Sequence, residues 1–360
     1  MKNSSQKFNQ LFATSTTIKE SAHARVNLIG EHTDYTGGYV MPSLLTYKTT
    51  IYLNENNNKT YSVFSENFNE YFDFNNFIKS TTYDWLDYVK GCLFIFFNEN
   101  KKIKTKYLKI YIQSNIPIEK GISSSSALCV GIIKALNSFF QTGYNEKHIA
   151  ILAQKVEKDY IGVSGGIMDQ MVSSIGIHGK AFFLDCLSLK YELLDIPSDW
   201  QFVLIDSYVQ RSMRSSSYNK RYEELKKAEK ILNTQHLGTI KESQIHESIF
   251  ENNIIYKRAK HVVSENQRVL DAKKFLREKN ISAFGNVMNK SYISYSKDFD
   301  ASTKDIDIIV NRSLKSGASG CRLTGGGFGG FTVSLIKKIK YDSWYKKMLN
   351  YYDKNKFYKI

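Results

Sequence analysis

Between Ala24 and Gly38 the chain reads A-R-V-N-L-I-G-E-H-T-D-Y-T-G-G. One arginine (Arg25), two carboxylates (Glu31 and Asp34) and one imidazole (His32) stand among glycines at Gly30, Gly37 and Gly38. Carboxylates accept hydrogen bonds from hydroxyls, and an arginine donates to anionic oxygen. The stretch is too polar for a core strand and too compact for a solvated loop. It reads as a binding loop for something small and polyhydroxylated.

Three further segments carry chemistry. Gly121-Ile-Ser-Ser-Ser-Ser-Ala127 sits between a strand and a buried helix. Ser123 or Ser124 can cap that helix, leaving its first N–H groups and the positive end of its dipole facing outward. A phosphate suits such a place, and the remaining hydroxyls of Ser125 and Ser126 can bond oxygen or ligate Mg²⁺. Taken alone, the segment serves equally well as a capped helix. Gly162-Val-Ser-Gly-Gly-Ile-Met-Asp-Gln170 places Asp169 just after a glycine loop, where it either caps a helix or does chemistry. Glu157, beside the apolar stripe of the preceding helix, is in isolation a surface acid. Gly325-Gly-Gly-Phe-Gly-Gly330 fits G-x-G-x-x-G, but a strand-like run follows it where a dinucleotide site needs a helix. Glycines this dense mean close backbone approach to a ligand or to another segment.

The elements that must position these groups follow from periodicity. Met41–Leu53, Tyr107–Gln113, Phe202–Ile205 and Phe331–Ile336 read as strands, and Asn54–Asn58 as a turn. Ala127–Phe140 reads as a buried helix, and Ile149–Tyr160 as a second one that Gly162–Gly166 breaks. Tyr218–Leu232 and Lys257–Arg277 read as long charged helices, with shorter ones over Ile281–Ile293 and Thr303–Leu314. Strands and helices mixed without regular alternation point to an α+β fold. A weak boundary falls at residues 175–200, where the glycine- and serine-rich half gives way to charged helices.

Composition sets the bounds. Of 360 residues 42 % are hydrophobic and 14 % aromatic, enough for a sizeable core. No apolar run is long enough to span a membrane, and the N-terminal M-K-N-S-S-Q-K-F lacks the apolar segment of a secretory signal. The four cysteines (Cys92, Cys129, Cys186, Cys321) fit neither zinc spacing nor a disulfide framework. A cytoplasmic protein with reduced thiols is expected. The net charge of +15 invites a nucleic-acid partner, but the lysines are spread along the chain rather than gathered in a stripe. The richness in Asn, Lys, Ile, Tyr and Phe, with only three prolines, is what an AT-rich genome would encode. The basic tail Lys337–Lys359 reads as a solvated terminal helix or strand edge.

In combination, the Arg25–Gly38 loop, Ser123–Ser126, Gly165-Gly-Ile-Met-Asp-Gln170 and Leu323-Thr-Gly-Gly-Gly-Phe-Gly-Gly330 resemble the GHMP family of small-molecule kinases. Within it the likeness is to the galactokinases, whose signature R-V-N-L-I-G-E-H-T-D-Y-x-G-G is present with Thr36 at x, where Asn is commoner. The segments His261–Leu270 and Phe284–Ser291 are also similar. The resemblance implies two mixed α/β lobes with the active site in the cleft between them, expected at residues 1–180 and 181–360. The first would carry the sugar-binding and phosphate loops, and the second the glycine-rich motif. It implies transfer of the γ-phosphoryl group of ATP to the anomeric hydroxyl of α-D-galactose, with Mg²⁺.

By resemblance, Glu31, His32 and Asp34 hold sugar hydroxyls, with Gly166 and Tyr218 as further sugar contacts. Asp169 is the candidate catalytic base. Arg25 is its cationic partner and stabilises charge on the moving phosphoryl group. Gly121 and Ser123–Ser126 (Ser123, Ser124, Ser125 and Ser126) cradle the ATP phosphates, and Ser125 and Glu157 hold Mg²⁺. Galactose and ATP are the expected partners, with no nucleic acid or membrane, and a monomer is the favoured state. The chain departs from the family pattern at His23-Ala24, where Pro-Gly is usual, and at Glu119, where glycine is common. It departs again at Ser217, where an acid is usual before Tyr218, and Arg211 and Arg214 make that neighbourhood more basic. An anomeric kinase for galacturonate or N-acetylgalactosamine is therefore the alternative, although Thr33 and Tyr35 argue against it. A non-catalytic galactose and ATP sensor is disfavoured by Arg25, Asp169 and Ser126-Ala127.

Overall fold

The computed structural model describes residues 4–80, 85–117, 121–209 and 214–360. From the N-terminus the chain forms helix α1 (Ser4–Phe12), strands β1 (Ile18–Asn27), β2 (Tyr39–Val40), β3 (Pro42–Glu55), β4 (Tyr61–Ser65) and β5 (Glu70–Phe74), and helix α2 (Trp85–Glu99). Strand β6 (Leu108–Ser114) precedes helices α3 (Ser124–Phe140), α4 (Glu146–Lys155) and α5 (Met168–Ile175). Strands β7 (Lys180–Asp185), β8 (Tyr191–Asp195) and β9 (Trp200–Asp206) lead into helices α6 (Arg214–Ile231), α7 (Asn253–Arg277), α8 (Ile281–Lys297) and α9 (Lys304–Ser316). Strands β10 (Gly320–Leu323) and β11 (Phe331–Lys337), helix α10 (Tyr341–Met348) and strand β12 (Phe357–Lys359) complete the chain.

These elements divide into two compact units: Met1–Arg25, Leu45–Ile118 and Ser123–Ile175 in one, Val26–Leu44, Glu119–Ile122 and Gly176–Ile360 in the other. One change between units falls at Ile175–Gly176. The loop segment 26–44 and the short segment 119–122, however, count with the second unit, and the chain crosses between units at the Arg25–Val26 bond.

In the first unit β3 and β6 pair antiparallel, β6 and β4 parallel, and β4 and β5 antiparallel. Ile51, Leu53, Val63 and Ile110 from these strands pack with Val89, Phe96, Ile133, Leu136 and Leu152 of α2, α3 and α4. In the second unit β10, β11, β9 and β12 form an antiparallel sheet. One cluster, with Val262, Tyr295, Val310 and Leu323, packs α7, α8 and α9 with β10. Glycine makes the closest approach possible: a Cβ on Gly285 of α8 would lie 2.2 Å from the Ser319 carbonyl oxygen before β10.

Several expectations need correction. Ala24–Asn27 is not loop but the buried end of β1, and the loop begins only at Leu28. The turn after β3 starts at Asn56 rather than Asn54. The second helix does not run evenly to Tyr160: α4 passes into a π-helical turn, Val156–Ile161, which ends at Gly162 with φ 89°. The tail is packed rather than merely solvated, since α10 buries Trp344 and Met348 and β12 pairs with β9. All four cysteines are free thiols. Among the described residues no helix is long and apolar enough to cross a membrane. Glu119 and Arg211, singled out in the sequence, lie outside the described residues.

Candidate active site

The first unit gathers its candidate groups at the start of two helices. Arg25 leaves the buried end of β1 and grips Asp169, in the first turn of α5, with two donors: Nε to Oδ1 at 2.6 Å and Nη2 to Oδ2 at 2.7 Å. Ser173, one turn further along α5, donates to the His23 carbonyl at 2.8 Å and so ties α5 to the same strand. Ser123 also donates to Asp169 Oδ2. Ser123 stands at the N-cap position of α3 with φ 64°, yet its hydroxyl makes no cap bond. The expectation that it caps α3 is therefore replaced by a bond to the carboxylate. A carboxylate has about four lone-pair positions. Among the described residues Arg25 and Ser123 take three on Asp169, leaving room for one more donor.

Ser124, Ser125 and Ser126 form the first turn of α3, where N–H groups have no acceptor within the helix. Ser126 Oγ donates to Glu157 at 3.2 Å, and Ser125 also hydrogen-bonds to Glu157. Glu157 is the second residue of the π-helical turn, a feature frequent at functional sites. Burial pushes its carboxyl up to about 7; the Ser125 bond works against this, and the charge of Asp169 adds to it. Gln170, next to Asp169, donates to Glu157 through Nε2, while its buried Oε1 has no hydrogen-bond partner among the described residues. Gly166 lies partly exposed just before α5.

The second unit holds the rest of the loop. Glu31 is buried and accepts from the Gly325 N–H at 2.7 Å, from the Asn27 amide, and from Arg322 Nη1 at 3.2 Å. His32 adopts φ 61°. The Tyr295 hydroxyl donates to the Gly325 carbonyl at 2.8 Å and accepts from His32 Nε2 at 3.0 Å, so the Tyr35 hydroxyl donates to Nδ1 at 2.7 Å. Burial, with the nearby His261 adding to it, holds the His32 imidazole well below the usual histidine range, so it is neutral. Its ring lies 4.4 Å from that of Phe299 and 5.3 Å from that of Tyr218 on α6. Asp34 is half-buried in the same loop. Gly326 lies against the Tyr218 ring, and Gly325 approaches the Gly121 carbonyl; a Cβ at either would lie 3.2 Å or 3.1 Å from its neighbour.

Sequence reasoning assigned no role to Gln170, Glu265 or Arg322. The first two lie inside quoted motifs, and Arg322 directly precedes Leu323. An arginine inside an apolar strand, between Cys321 and Leu323, was a usable signal, since such a charge is buried only when paired. It is fully buried and pairs with both Glu31 and Glu265.

Comparison with known proteins gives the context of this geometry. The GHMP kinases N terminal domain matches residues 87–176 and the GHMP kinases C terminal domain residues 272–348, while the galactokinase galactose-binding signature matches residues 6–55. Fold and motifs together define a small-molecule kinase of the GHMP class. A galactokinase of Clostridium beijerinckii is 37 % identical, covering 95 % of this chain and 90 % of the relative. One of Actinobacillus succinogenes is 32 % identical over 98 % and 93 %. The crystal structure of Lactococcus lactis galactokinase complexed with galactose superposes with a TM-score of 0.91 at 31 % identity, covering 99 % and 96 % of the two chains. The Methanococcus jannaschii mevalonate kinase, at 20 % identity and TM-score 0.70, shares the fold. The chain belongs to the galactokinase family.

Proposed function

We propose that the chain transfers the γ-phosphoryl group of ATP to the anomeric hydroxyl of α-D-galactose, giving galactose 1-phosphate. The bidentate grip of Arg25 on Asp169 is the observation that carries this reading. It fixes a carboxylate with one acceptor position to spare, which suits a hydroxyl about to be phosphorylated. Asp169 accepts that hydroxyl and receives its proton. Phosphoryl transfer passes through a loose transition state, so orienting the nucleophile and neutralising charge matter more than a strong base. Arg25 supplies positive charge beside the reacting oxygens.

Gly121 and Ser123–Ser126 take the phosphates, using the unpaired N–H groups at the start of α3. A divalent cation accompanies ATP in such kinases, and the donors present suit Mg²⁺: the Glu157 carboxylate, the Ser125 hydroxyl and the unbonded buried oxygen of Gln170 are all hard oxygen ligands. When bound, the cation offsets phosphate charge. Ser125 and Glu157 hold it, and Gln170 orients Glu157.

Glu31, His32, Asp34, Gly166 and Tyr218 contact the sugar. A site whose carboxylates accept from particular hydroxyls rejects sugars that lack them or present them on the other face. A coupled assay with ATP, Mg²⁺ and galactose tests the reading. Turnover is expected with the intact chain and at least ~100-fold less with Asp169→Asn. Normal turnover in that variant removes Asp169 from the chemistry.

A further inference from the structure

Helix α7 presents His261, Glu265, Asn266 and Val269 along one side to the loop that carries Glu31, His32 and Asp34. Gly30 and Tyr39 flank the stretch that carries these three side chains, and their N–H groups go to adjacent α7 side chains. Gly30 donates to Glu265 Oε1 at 3.0 Å, and Tyr39 donates to Asn266 Oδ1 at 2.9 Å. Val269 fills the space against Gly30, and Gly38 lies so close to Asn266 that a Cβ there would come within 2.1 Å of Oδ1. Asn266 Nδ2 donates to the Gly238 carbonyl at 3.0 Å, and the Gly238 N–H donates to the Thr36 carbonyl at 2.9 Å, so the clasp reaches the middle of the loop as well.

Glu265 is itself fixed. Ser291 of α8 donates to it at 2.6 Å, Arg268 Nε lies 2.6 Å away and Arg322 Nη2 3.7 Å away. Arg322 also reaches Glu31, so one buried guanidinium links the helix side chain that holds the loop's first turn to a carboxylate within the loop. The α7 side chain His261 stacks on Tyr295, the tyrosine that accepts from His32.

We infer that Glu265, Asn266 and Arg322 are positioning residues for sugar binding: they fix the Gly30–Tyr39 loop to α7 and set where its sugar-reading side chains stand. This inference rests on the galactose reading above, but its structural half is separable. Loss of the clasp raises the cost of ordering the loop around a sugar. It leaves the Asp169 and Ser123–Ser126 groups of the other unit as they are. The signature is therefore a change in galactose binding rather than in the chemical step.

The test uses the full chain. In hydrogen–deuterium exchange the wild-type amides of Gly30 and Tyr39 should exchange slowly, and Asn266→Ala should accelerate the 26–44 segment. In steady-state kinetics Asn266→Ala should raise the galactose KM about tenfold, with kcat and the ATP KM changed less than about threefold. Asn266→Ser, which keeps a short oxygen acceptor, should fall between the two. Fast exchange at Gly30 and Tyr39 in the wild type overturns the inference without any variant. So does a folded Asn266→Ala chain with an unchanged galactose KM, or one whose galactose and ATP KM rise together. A wild-type chain that turns over no galactose overturns the functional reading instead, and the exchange result then judges the clasp alone.

Discussion

At the scale of single residues, the candidate chemistry rests on carboxylates held in different ways. Asp169 is gripped from one side and keeps an acceptor position, whereas Glu31 is held by Arg322, Asn27 and the Gly325 N–H. Arginine at residue 25 matters for its fork as well as its charge. Arg25→Lys should lower kcat by about tenfold or more while leaving a folded chain, because an ammonium cannot make the paired contact. Kinetics with a circular-dichroism control checks this. Glu157→Gln should raise the Mg²⁺ concentration needed for half-maximal rate, since it removes the ligand charge. Glu265 sets a pH dependence. Burial works to raise its carboxyl, but Arg268 and Arg322 outweigh this and hold it down to about 2, well below the usual glutamate range. A depressed acid contributes stability above its unfolded pKa and loses it as the pH falls toward the folded one. Between about pH 4.5 and 2 the chain should therefore lose stability on the order of 3 kcal/mol from this group. Glu265→Gln should flatten that limb of a urea-midpoint series against pH.

At the scale of elements, the sequence announced the helices and motifs better than the join between them. α3, α7 and β9 were legible because their apolar spacing is regular, and Gly162 does end a helical run at φ 89°. The buried end of β1 was not legible. Arg25 and Asn27 look like loop residues until their partners are known, and those partners lie 144 and 297 positions away, at Asp169 and Thr324. The π-helical turn was hidden for a similar reason: no residue type marks it, and the close packing of Tyr160 against Gly91 of α2 becomes apparent only in three dimensions. Ser123 shows how a sound local rule loses to a long-range bond, since a serine well placed to cap α3 gives its hydroxyl to Asp169. Packing between elements yields its own prediction. Gly285→Ala forces a Cβ against the Ser319 carbonyl, which is backbone and cannot swing away. It should destabilise the chain by about 1–3 kcal/mol, read as a lower urea midpoint, with the galactose KM of the folded fraction unchanged.

At the scale of the whole molecule, each compact unit owns one part of the proposed reaction: Arg25, Asp169, Ser125 and Glu157 in the first, Glu31, His32, Asp34 and Tyr218 in the second. The units exchange chain segments rather than following one another, and the loop segment 26–44 belongs with residues more than two hundred positions later. A division by composition places that loop with its neighbours in sequence. Its buried contacts to later residues, Glu265, Asn266, Arg322 and Gly325 among them, place it elsewhere. The family was legible because its motifs are long and ordered. The sugar was legible from the same loop, where Thr33 and Tyr35 argue against galacturonate and N-acetylgalactosamine and the galactokinase galactose-binding signature matches residues 6–55. The most direct measurement is a sugar panel with ATP and Mg²⁺, with the site of phosphorylation read by ³¹P NMR. Galactose should be phosphorylated at its anomeric oxygen in preference to galacturonate and N-acetylgalactosamine. Preference for either of those sugars, or binding of galactose and ATP with no phosphoryl transfer, would contradict the account.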